Sequence, residues 1–351
     1  MNQRARRKGP EGRVSKATGL GLLVACAELL LASNVAAEDP PQLRTILEEA
    51  KKSRLSPPVA FEVQAKSEQE FGGTPQSRSW IRSAHLRWEG ERVEGFADPE
   101  TNASLNAVSL EELDKQAWAD YRATWNGRFG LWRALRHLIA GGFLFEKPNY
   151  KYLILHSESF GTFLDGRFFA TLPMDWIEIV ESVAGDALGP TPAEIDGHAC
   201  WFIFAETPYG QFKLWVDPEY GCLLRRAEVV ILPGHQFGGE PVGEDSMFRR
   251  VEFEITDVEL ADVEGRFVSV AGRRTHIRYP TAEDAGPSIS THHARRSNFD
   301  FSPDFDALGA FKVDLAQGGV VQHAELPGLK LIWNGTEFEK QEAGASGAPQ
   351  K

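Results

Sequence analysis

Four strand-like segments follow one another along the middle of the chain. They are residues 199–205, 211–216, 222–232 and 248–260. Each segment is apolar or alternates apolar with polar residues, which is typical of a β-strand with at least one buried face. The first three are separated by turns of only a few residues, whereas a parallel crossover needs about a dozen or more. This part of the chain is therefore predicted to form an antiparallel meander.

Two other segments are predicted to be helices that cover the sheet. Residues 40–55 carry apolar side chains at helical spacing, which places them on one stripe: Leu43, Ile46, Leu47 and Ala50. Residues 173–183 begin with Pro173, a residue tolerated in the first turn of a helix, and their apolar residues again share a face. The predicted architecture is thus α+β, with antiparallel strands predominating.

Shorter segments have weaker patterns. Residues 61–66, 80–88, 150–156 and 161–170 are predicted to be strands, and residues 110–119 and 131–140 to be helices. The pair Asn126-Gly127 carries the Asn-Gly signal of a β-hairpin.

The first 37 residues have the three zones of a secretory signal. Six basic residues lie within 1–16, an apolar stretch occupies 17–32, and Val35-Ala36-Ala37 precedes Glu38. A basic start, an apolar core and a small-residue cleavage site direct a chain across a membrane. The sequence predicts export to the periplasm or beyond the cell, with cleavage after Ala37.

Two other fates of this N-terminal region stay open. Leu23-Val24-Ala25-Cys26 matches a lipobox, in which Cys26 would be lipidated and anchor the protein. The apolar stretch also approaches the roughly 20 residues that a spanning helix needs, although Glu28 interrupts it. Membrane contact is predicted only through the signal or such a lipid anchor.

The charge balance argues against nucleic acid as a partner. The whole chain has a net charge of −12, and removal of residues 1–37 leaves 32 of its 38 basic and 48 of its 50 acidic residues, a net charge of −16. So acidic a protein repels phosphate backbones.

The hairpin around residues 195–229 resembles that of LolA-like proteins, the superfamily of the outer-membrane lipoprotein carrier. The resemblance lies in Asp196-Gly197-His198-Ala199-Cys200-Trp201, in residues 213–221 (KLWVDPEYG) and in residues 224–228 (LRRAE). It implies an antiparallel sheet that curls into a half-barrel, with helices over its apolar concave face. The carriers are shorter and lack anything like residues 298–340, so the resemblance implies a lipid-sized cleft but not lipoprotein transfer.

These features divide the chain into five predicted parts. They are a signal peptide at 1–37, a LolA-like half-barrel domain at 38–280, a polar linker or loop at 281–298, a small C-terminal β segment docked on the main body at 299–340, and a disordered tail at 341–351.

The candidate ligand-binding residues lie on one face of the predicted hairpin: Phe212, Leu214, Val216, Leu223 and Arg225. Alternation places the apolar members together, toward a cleft that suits an acyl chain. Arg225 has two interpretations, since it either fixes a ligand headgroup or pairs with a nearby acid such as Asp217.

Cys200 and Cys222 would remain after cleavage and form either a disulfide or two buried free thiols. In a simple meander they flank the middle strand from opposite sides, about 10 Å apart, which exceeds the ~7 Å limit for a bridge unless the sheet bends.

No metal or cofactor site is predicted. His276, His292 and His293 lie near acidic residues, but their spacing matches no zinc motif, and adjacent histidines on an extended chain point apart. The chain has no nucleophile elbow and no phosphate-binding glycine loop.

The sequence therefore predicts a non-enzymatic exported protein that holds a lipid or a lipoprotein acyl chain. The alternative is an envelope structural or interaction protein whose half-barrel is filled by its own side chains. A secreted enzyme with an unrecognised site is the third hypothesis.

Overall fold

The computed structural model describes residues 41–97, 102–106, 121–134, 142–148, 150–155, 160–168, 174–183, 188–237, 240–243, 246–282, 286–313 and 315–341. The signal peptide, Cys26, the helix predicted at 110–119 and all but the first residue of the predicted tail lie outside the described residues.

In the described ranges, seventeen strands form one sheet and two more form a separate hairpin. The strands are β1 Val59–Phe71, β2 Thr74–Glu89, β3 Arg92–Ala97, β4 Asn102–Asn106, β5 Tyr121–Trp125, β6 Gly130–Ala134, β7 Phe143–Phe145, β8 Leu188–Ile195, β9 His198–Thr207, β10 Gly210–Asp217, β11 Leu223–Ile231, β12 Gln236–Phe237, β13 Glu240–Pro241, β14 Phe248–Val263, β15 Arg266–Pro280, β16 Ser288–Asp300, β17 Val320–His323, β18 Lys330–Trp333 and β19 Phe338–Lys340. The helices are α1 Leu43–Ser53, α2 Tyr150–Leu155 and α3 Trp176–Glu181, and short 3-10 turns occupy Thr162–Asp165 and Pro218–Tyr220.

The strand order shows an open, curled sheet. From one edge to the other it runs β8-β9-β10-β11-β14-β15-β16-β1-β2-β3-β5-β6-β7-β17-β18-β19, and β4 pairs with the far part of β2. Among the described strands every pairing is antiparallel except that of β7 with β17. Within that part of the chain no pairing joins β8 to β19, so the sheet is a half-barrel and not a closed barrel. The predicted α+β half-barrel with helices on its concave face is confirmed.

The apolar alternation decides which face of the sheet is buried. In β10, Phe212, Leu214 and Val216 are each 0% exposed, whereas Lys213 lies exposed on the opposite face. Neighbouring strands repeat the pattern, and their buried side chains join one large apolar cluster. We call the face of the sheet that carries this cluster the covered face.

The two predicted cover helices are confirmed, over shorter ranges than predicted. Helix α1 buries Ile46, Leu47 and Ala50, and helix α3 buries its own apolar stripe in the same cluster. Asp175 caps α3 with a capping box, in which its side chain accepts from the backbone while the Glu178 side chain accepts from the Asp175 N–H.

Three local predictions are wrong. Residues 150–156 were predicted to be a strand but contain α2, and 161–170 contain a 3-10 turn in place of a strand. The helix predicted at 131–140 begins as strand β6, which pairs with β5 around the Asn126-Gly127 turn. In all three, contacts with distant strands outweigh the local preferences that the prediction used.

The prediction of a linker at 281–298 is also wrong, because most of these residues belong to β16. This strand pairs with β15 on one side and β1 on the other, so it lies in the middle of the sheet. Its outward residues His293 and Arg295 are exposed, and two of its inward residues, His292 and Arg296, are polar but buried. The strand therefore lacks the apolar alternation that identifies strands in a sequence.

The C-terminal region continues the sheet and covers part of its outer face. Strand β17 extends the sheet beside β7, and β18 and β19 follow. The loop before them lies over β2 and β3, where Arg87 Nη1 donates to the Leu308 carbonyl at 3.2 Å and the Arg92 guanidinium stacks 4.8 Å from the centre of the Phe311 ring.

The central position of β16 predicts slow amide exchange. Residues 288–295 are hydrogen-bonded into ladders on both sides, so we expect their amides to exchange as slowly as those of β15. Hydrogen–deuterium exchange followed by mass spectrometry measures this. Exchange of this segment at the rate of an unstructured peptide would show that it is the linker after all.

Candidate functional site

The covered face brings together three of the five predicted ligand-binding residues. Phe212, Leu214 and Val216 lie side by side in β10, within the apolar cluster. They are not open to solvent, because helices and a connecting segment lie over them.

Leu223 does not join this face. A bulge in the β10–β11 ladder pairs Trp215 with Arg226 but Val216 with Leu224, which leaves Arg225 as the extra residue. Leu224 consequently takes the buried position, at 2% exposed, and Leu223 is only half-buried. The prediction for Leu223 is wrong because strict alternation fails across the bulge.

Arg225 pairs with an acid. Its Nε and Nη2 donate to Oδ2 of Asp217 at 2.8 and 2.6 Å, and its Nη1 donates to the Val258 carbonyl at 3.4 Å. Of the two interpretations open from the sequence, pairing with Asp217 is the one observed. The guanidinium ties the bulge to the end of β10 and to β14.

Cys200 and Cys222 are free and buried, so the possible disulfide is not formed. They sit beside opposite edges of β10, Cys200 in β9 and Cys222 just before β11, as a simple meander requires. The pKa of each thiol is raised to about 11, mainly by burial. The negative charge of Asp217 also raises the pKa of Cys200, and the charges of Glu49 and Asp217 also raise the pKa of Cys222. Protonated buried thiols are poor nucleophiles and metal ligands.

Residues 160–168, which we call the cover segment, fill the middle of the covered face. The 3-10 turn Thr162–Asp165 is flanked by Gly161 and Gly166, both in the left-handed conformation that glycine adopts at low cost. The turn directs four side chains into the apolar cluster, where each is at most 2% exposed: Phe160, Phe163, Leu164 and Phe168. Phe168 meets Phe212 edge-on, with ring centres 5.5 Å apart.

Two glycines in the sheet make room for the cover segment. A methyl group on Gly95 of β3 would overlap the ring of Phe160, and one on Gly272 of β15 would lie 2.6 Å from a methyl carbon of Leu164. The cover segment therefore sits directly on the backbone of the sheet at two places.

A buried ion pair anchors the cover segment to the sheet. Arg296 of β16 has a side chain that is 0% exposed; its Nη1 and Nη2 donate to the two carboxylate oxygens of Asp165 at 2.8 and 2.7 Å. Nη2 also donates to the Gly161 carbonyl at 2.7 Å, and the guanidinium lies 5.0 Å from the centre of the Phe61 ring. This bidentate pair satisfies a charge that would otherwise be costly in an apolar cluster.

Polar contacts also join the two cover helices to each other. Arg54 Nη1 donates to Oδ2 of Asp175 at 3.0 Å, and Lys51 forms an ion pair with Glu181. Burial, followed by the negative charge of Glu178, raises the pKa of the Asp175 carboxyl.

Another buried charge lies on the opposite face of the sheet. Glu94 is 0% exposed and accepts from Arg122 Nε at 2.6 Å, Arg87 Nη1 at 3.2 Å and the Thr124 hydroxyl at 3.3 Å. A carboxylate with three donors fixes β2, β3 and β5 together, beneath the C-terminal loop. Nothing in the sequence pattern identified it.

An open groove of about 770 Å³ runs over the outer face of β1, β14, β15 and β16. Its arginines are already paired, Arg273 with Asp257 at 3.2 Å and Arg295 with Glu259 at 2.7 Å. Partial desolvation, then the positive charges of Lys66 and Arg273, lower the pKa of His293 in this groove. A groove whose charges are balanced from within indicates no particular ligand.

The described residues contain no group of three or more histidine, cysteine, aspartate or glutamate side chains placed to hold a metal ion. No helix in that part of the chain is both long and apolar enough to span a membrane.

No known family model and no curated protein matches the chain. Among solved structures, one described as lipid–protein interactions in lipovitellin is similar, with 9% sequence identity over 71% of this chain and a TM-score of 0.32. The match covers 26% of that structure, so this chain spans about a quarter of its length. A similarity at this level supports no conclusion about function.

The anchor of the cover segment gives a stability prediction. Arg296→Ala leaves Asp165 without its partner inside the protein, so we expect a loss of about 3–5 kcal/mol in the free energy of unfolding. Arg295→Ala is the matched control, because the neighbouring side chain is exposed and should cost less than about 1 kcal/mol. Urea unfolding measures both, and equal effects would show that Arg296 is no anchor.

The raised thiol pKa values predict pH-dependent reactivity. In a Cys26→Ser variant at pH 8, Cys200 and Cys222 should stay protonated and react with Ellman's reagent only after unfolding in urea. Because the thiolates form as the pH rises toward about 11, reaction of the folded protein should accelerate over that range. Absence of free thiols even in urea, without reductant, would reveal a disulfide.

Proposed function

We propose that this is an exported, non-enzymatic protein that binds an apolar ligand, a lipid or a lipoprotein acyl chain, on the covered face of its sheet. The observation that carries the proposal is the construction of the cover. A continuous apolar face of a curved sheet is closed by two short helices and the cover segment, none of which pairs with a strand in the described residues.

The cover segment and an acyl chain can occupy the same volume on the covered face. Four apolar side chains of the cover segment occupy the volume above β3, β10 and β15: Phe160, Phe163, Leu164 and Phe168. An acyl chain in that volume would replace one set of dispersion contacts with another, and the face would stay shielded from water. Binding of the chain must therefore offset the exposure of these four displaced side chains and the separation of Arg296 from Asp165, which by itself costs about 3–5 kcal/mol.

Export is part of the proposal and rests on the three zones of the first 37 residues. The net charge of −16 that remains after their removal favours a partner other than nucleic acid. The half-barrel fold agrees with the LolA-like resemblance of the hairpin, which stays a prediction.

One observation favours a second function. Phe212, Leu214 and Val216 are each 0% exposed beneath the protein's own side chains. A half-barrel filled in this way also suits an envelope structural or interaction protein that takes no ligand.

A glycine substitution in the sheet separates the two functions. Gly95→Ala forces the Phe160 ring aside, which should favour the open cover and so increase the affinity for a fluorescent fatty acid about tenfold. Gly189→Ala is the matched control: this glycine also lies in a strand, but a methyl group there meets nothing within 4 Å. Fluorescence titration measures affinity, and near-ultraviolet circular dichroism verifies that both variants are folded.

Lipid recovered by solvent extraction of the natively purified protein would provide independent support. If the unmodified protein and both variants bind no fatty acid and yield no lipid, the ligand-binding function is wrong and the filled scaffold is correct.

A further inference from the structure

A pocket of about 310 Å³ lies at the C-terminal end of α1, beside the cover. One wall is the end of this helix and the residues that follow it, and the other is the start of β15 together with Phe301. The residues of this pocket that matter for its chemistry are Lys52, Arg54, Leu55, Arg266, Val268 and Phe301.

The polar lining of the pocket is positively charged. Lys52, Arg54 and Arg266 line it, and among the described residues no acidic side chain does, although the whole chain has a net charge of −12. The carbonyls at the end of α1 oppose this with at most about half a unit of negative charge. One of them, that of Ala50, already accepts the Arg54 N–H at 2.9 Å. The pocket therefore attracts anions.

The three cations differ in how far they are already paired. Arg54 is held by Asp175 and Glu178, and Lys52 forms an exposed pair with Glu49 at 3.0 Å. Arg266 lies over the Phe301 ring, 4.5 Å from its centre, and within the described part of the chain its guanidinium makes no ion pair. Its donors are thus available to an anion.

The apolar residues of the two walls are continuous with the covered face. Val268 and Phe301 belong to the large apolar cluster, and Leu55 packs against it. A ligand that matches both the basic and the apolar residues of this pocket carries a negative group at one end and an apolar group at the other.

We propose that this pocket binds the phosphate or carboxylate headgroup of an anionic lipid whose acyl chain lies on the covered face. The inference rests on the proposed function and adds the class of lipid. Lys52 and Arg266 bind the headgroup, while Arg54 holds the helix end in place through Asp175.

The test compares three probes that separate headgroup from chain. They are palmitoyl lysophosphatidylglycerol, the uncharged monopalmitoylglycerol of the same chain length, and glycerol 3-phosphate without a chain, and the two lipids are titrated below the concentrations at which they aggregate. The variants are Arg266→Gln and Lys52→Gln, with Arg44→Gln as the control. Arg44 is an exposed cation on the same helix that does not line the pocket, so the control changes the net charge equally.

We expect the anionic lipid to bind about tenfold more tightly than the uncharged one, with the difference shrinking at high salt. Arg266→Gln and Lys52→Gln should each remove much of this preference and leave monopalmitoylglycerol binding unchanged. Arg44→Gln should keep the preference.

Other results would overturn the inference. Equal binding of both lipids in every variant would refute the headgroup site but keep the proposed function. Glycerol 3-phosphate binding as tightly as the anionic lipid, and depending on Arg266, would identify a site for free phosphate and refute the lipid assignment. Failure of all three probes would refute both the inference and the proposed function.

Discussion

One face of a very large open sheet must be kept from water, and the sheet cannot do this by itself. A closed barrel encloses its own interior, whereas a half-barrel needs cover from elsewhere in the chain. Here the cover is short: α1, α3 and residues 160–168. Much of the remaining architecture follows from the need to seat these segments closely, including the glycines at 95 and 272 that admit Phe160 and Leu164 to the sheet backbone.

Buried charges occur where separate elements have to be held together. Arg296 joins β16 to the cover segment, Arg225 joins a bulge in β11 to β10 and β14, and Glu94 joins β3 to β2 and β5. Apolar packing is tolerant of position, but a bidentate ion pair fixes distance and direction. These charges thus specify how the elements are arranged, and their breakage is costly because each leaves an unpaired partner in an apolar setting.

A cover held by a few polar contacts differs from a core that is built from the strands of the sheet. In the proposed function a ligand of similar chemistry replaces its apolar side chains without exposing the face to water, and the basic pocket beside α1 is lined by residues of the same apolar cluster. The proposed lipid function and the proposed headgroup site are therefore two parts of one arrangement. The filled face equally supports the alternative proposal, a scaffold that takes no ligand.

By itself, the sequence determined the antiparallel meander of β9–β11 and β14, the cover helices α1 and α3, and the shared face of Phe212, Leu214 and Val216. It could do so because burial imposes a periodic pattern on each strand or helix, and this pattern is local. Only the tertiary structure decided that 288–300 is a central strand, that 160–168 is a cover and that Leu224 replaces Leu223. The first two depend on partners far along the chain, Asp165 for Arg296 and Phe160 for Gly95, and the third depends on the register of β11 against β10, which the bulge at Arg225 shifts. The local sequence pattern indicates which side chains are buried, but it does not indicate which distant residues bury them.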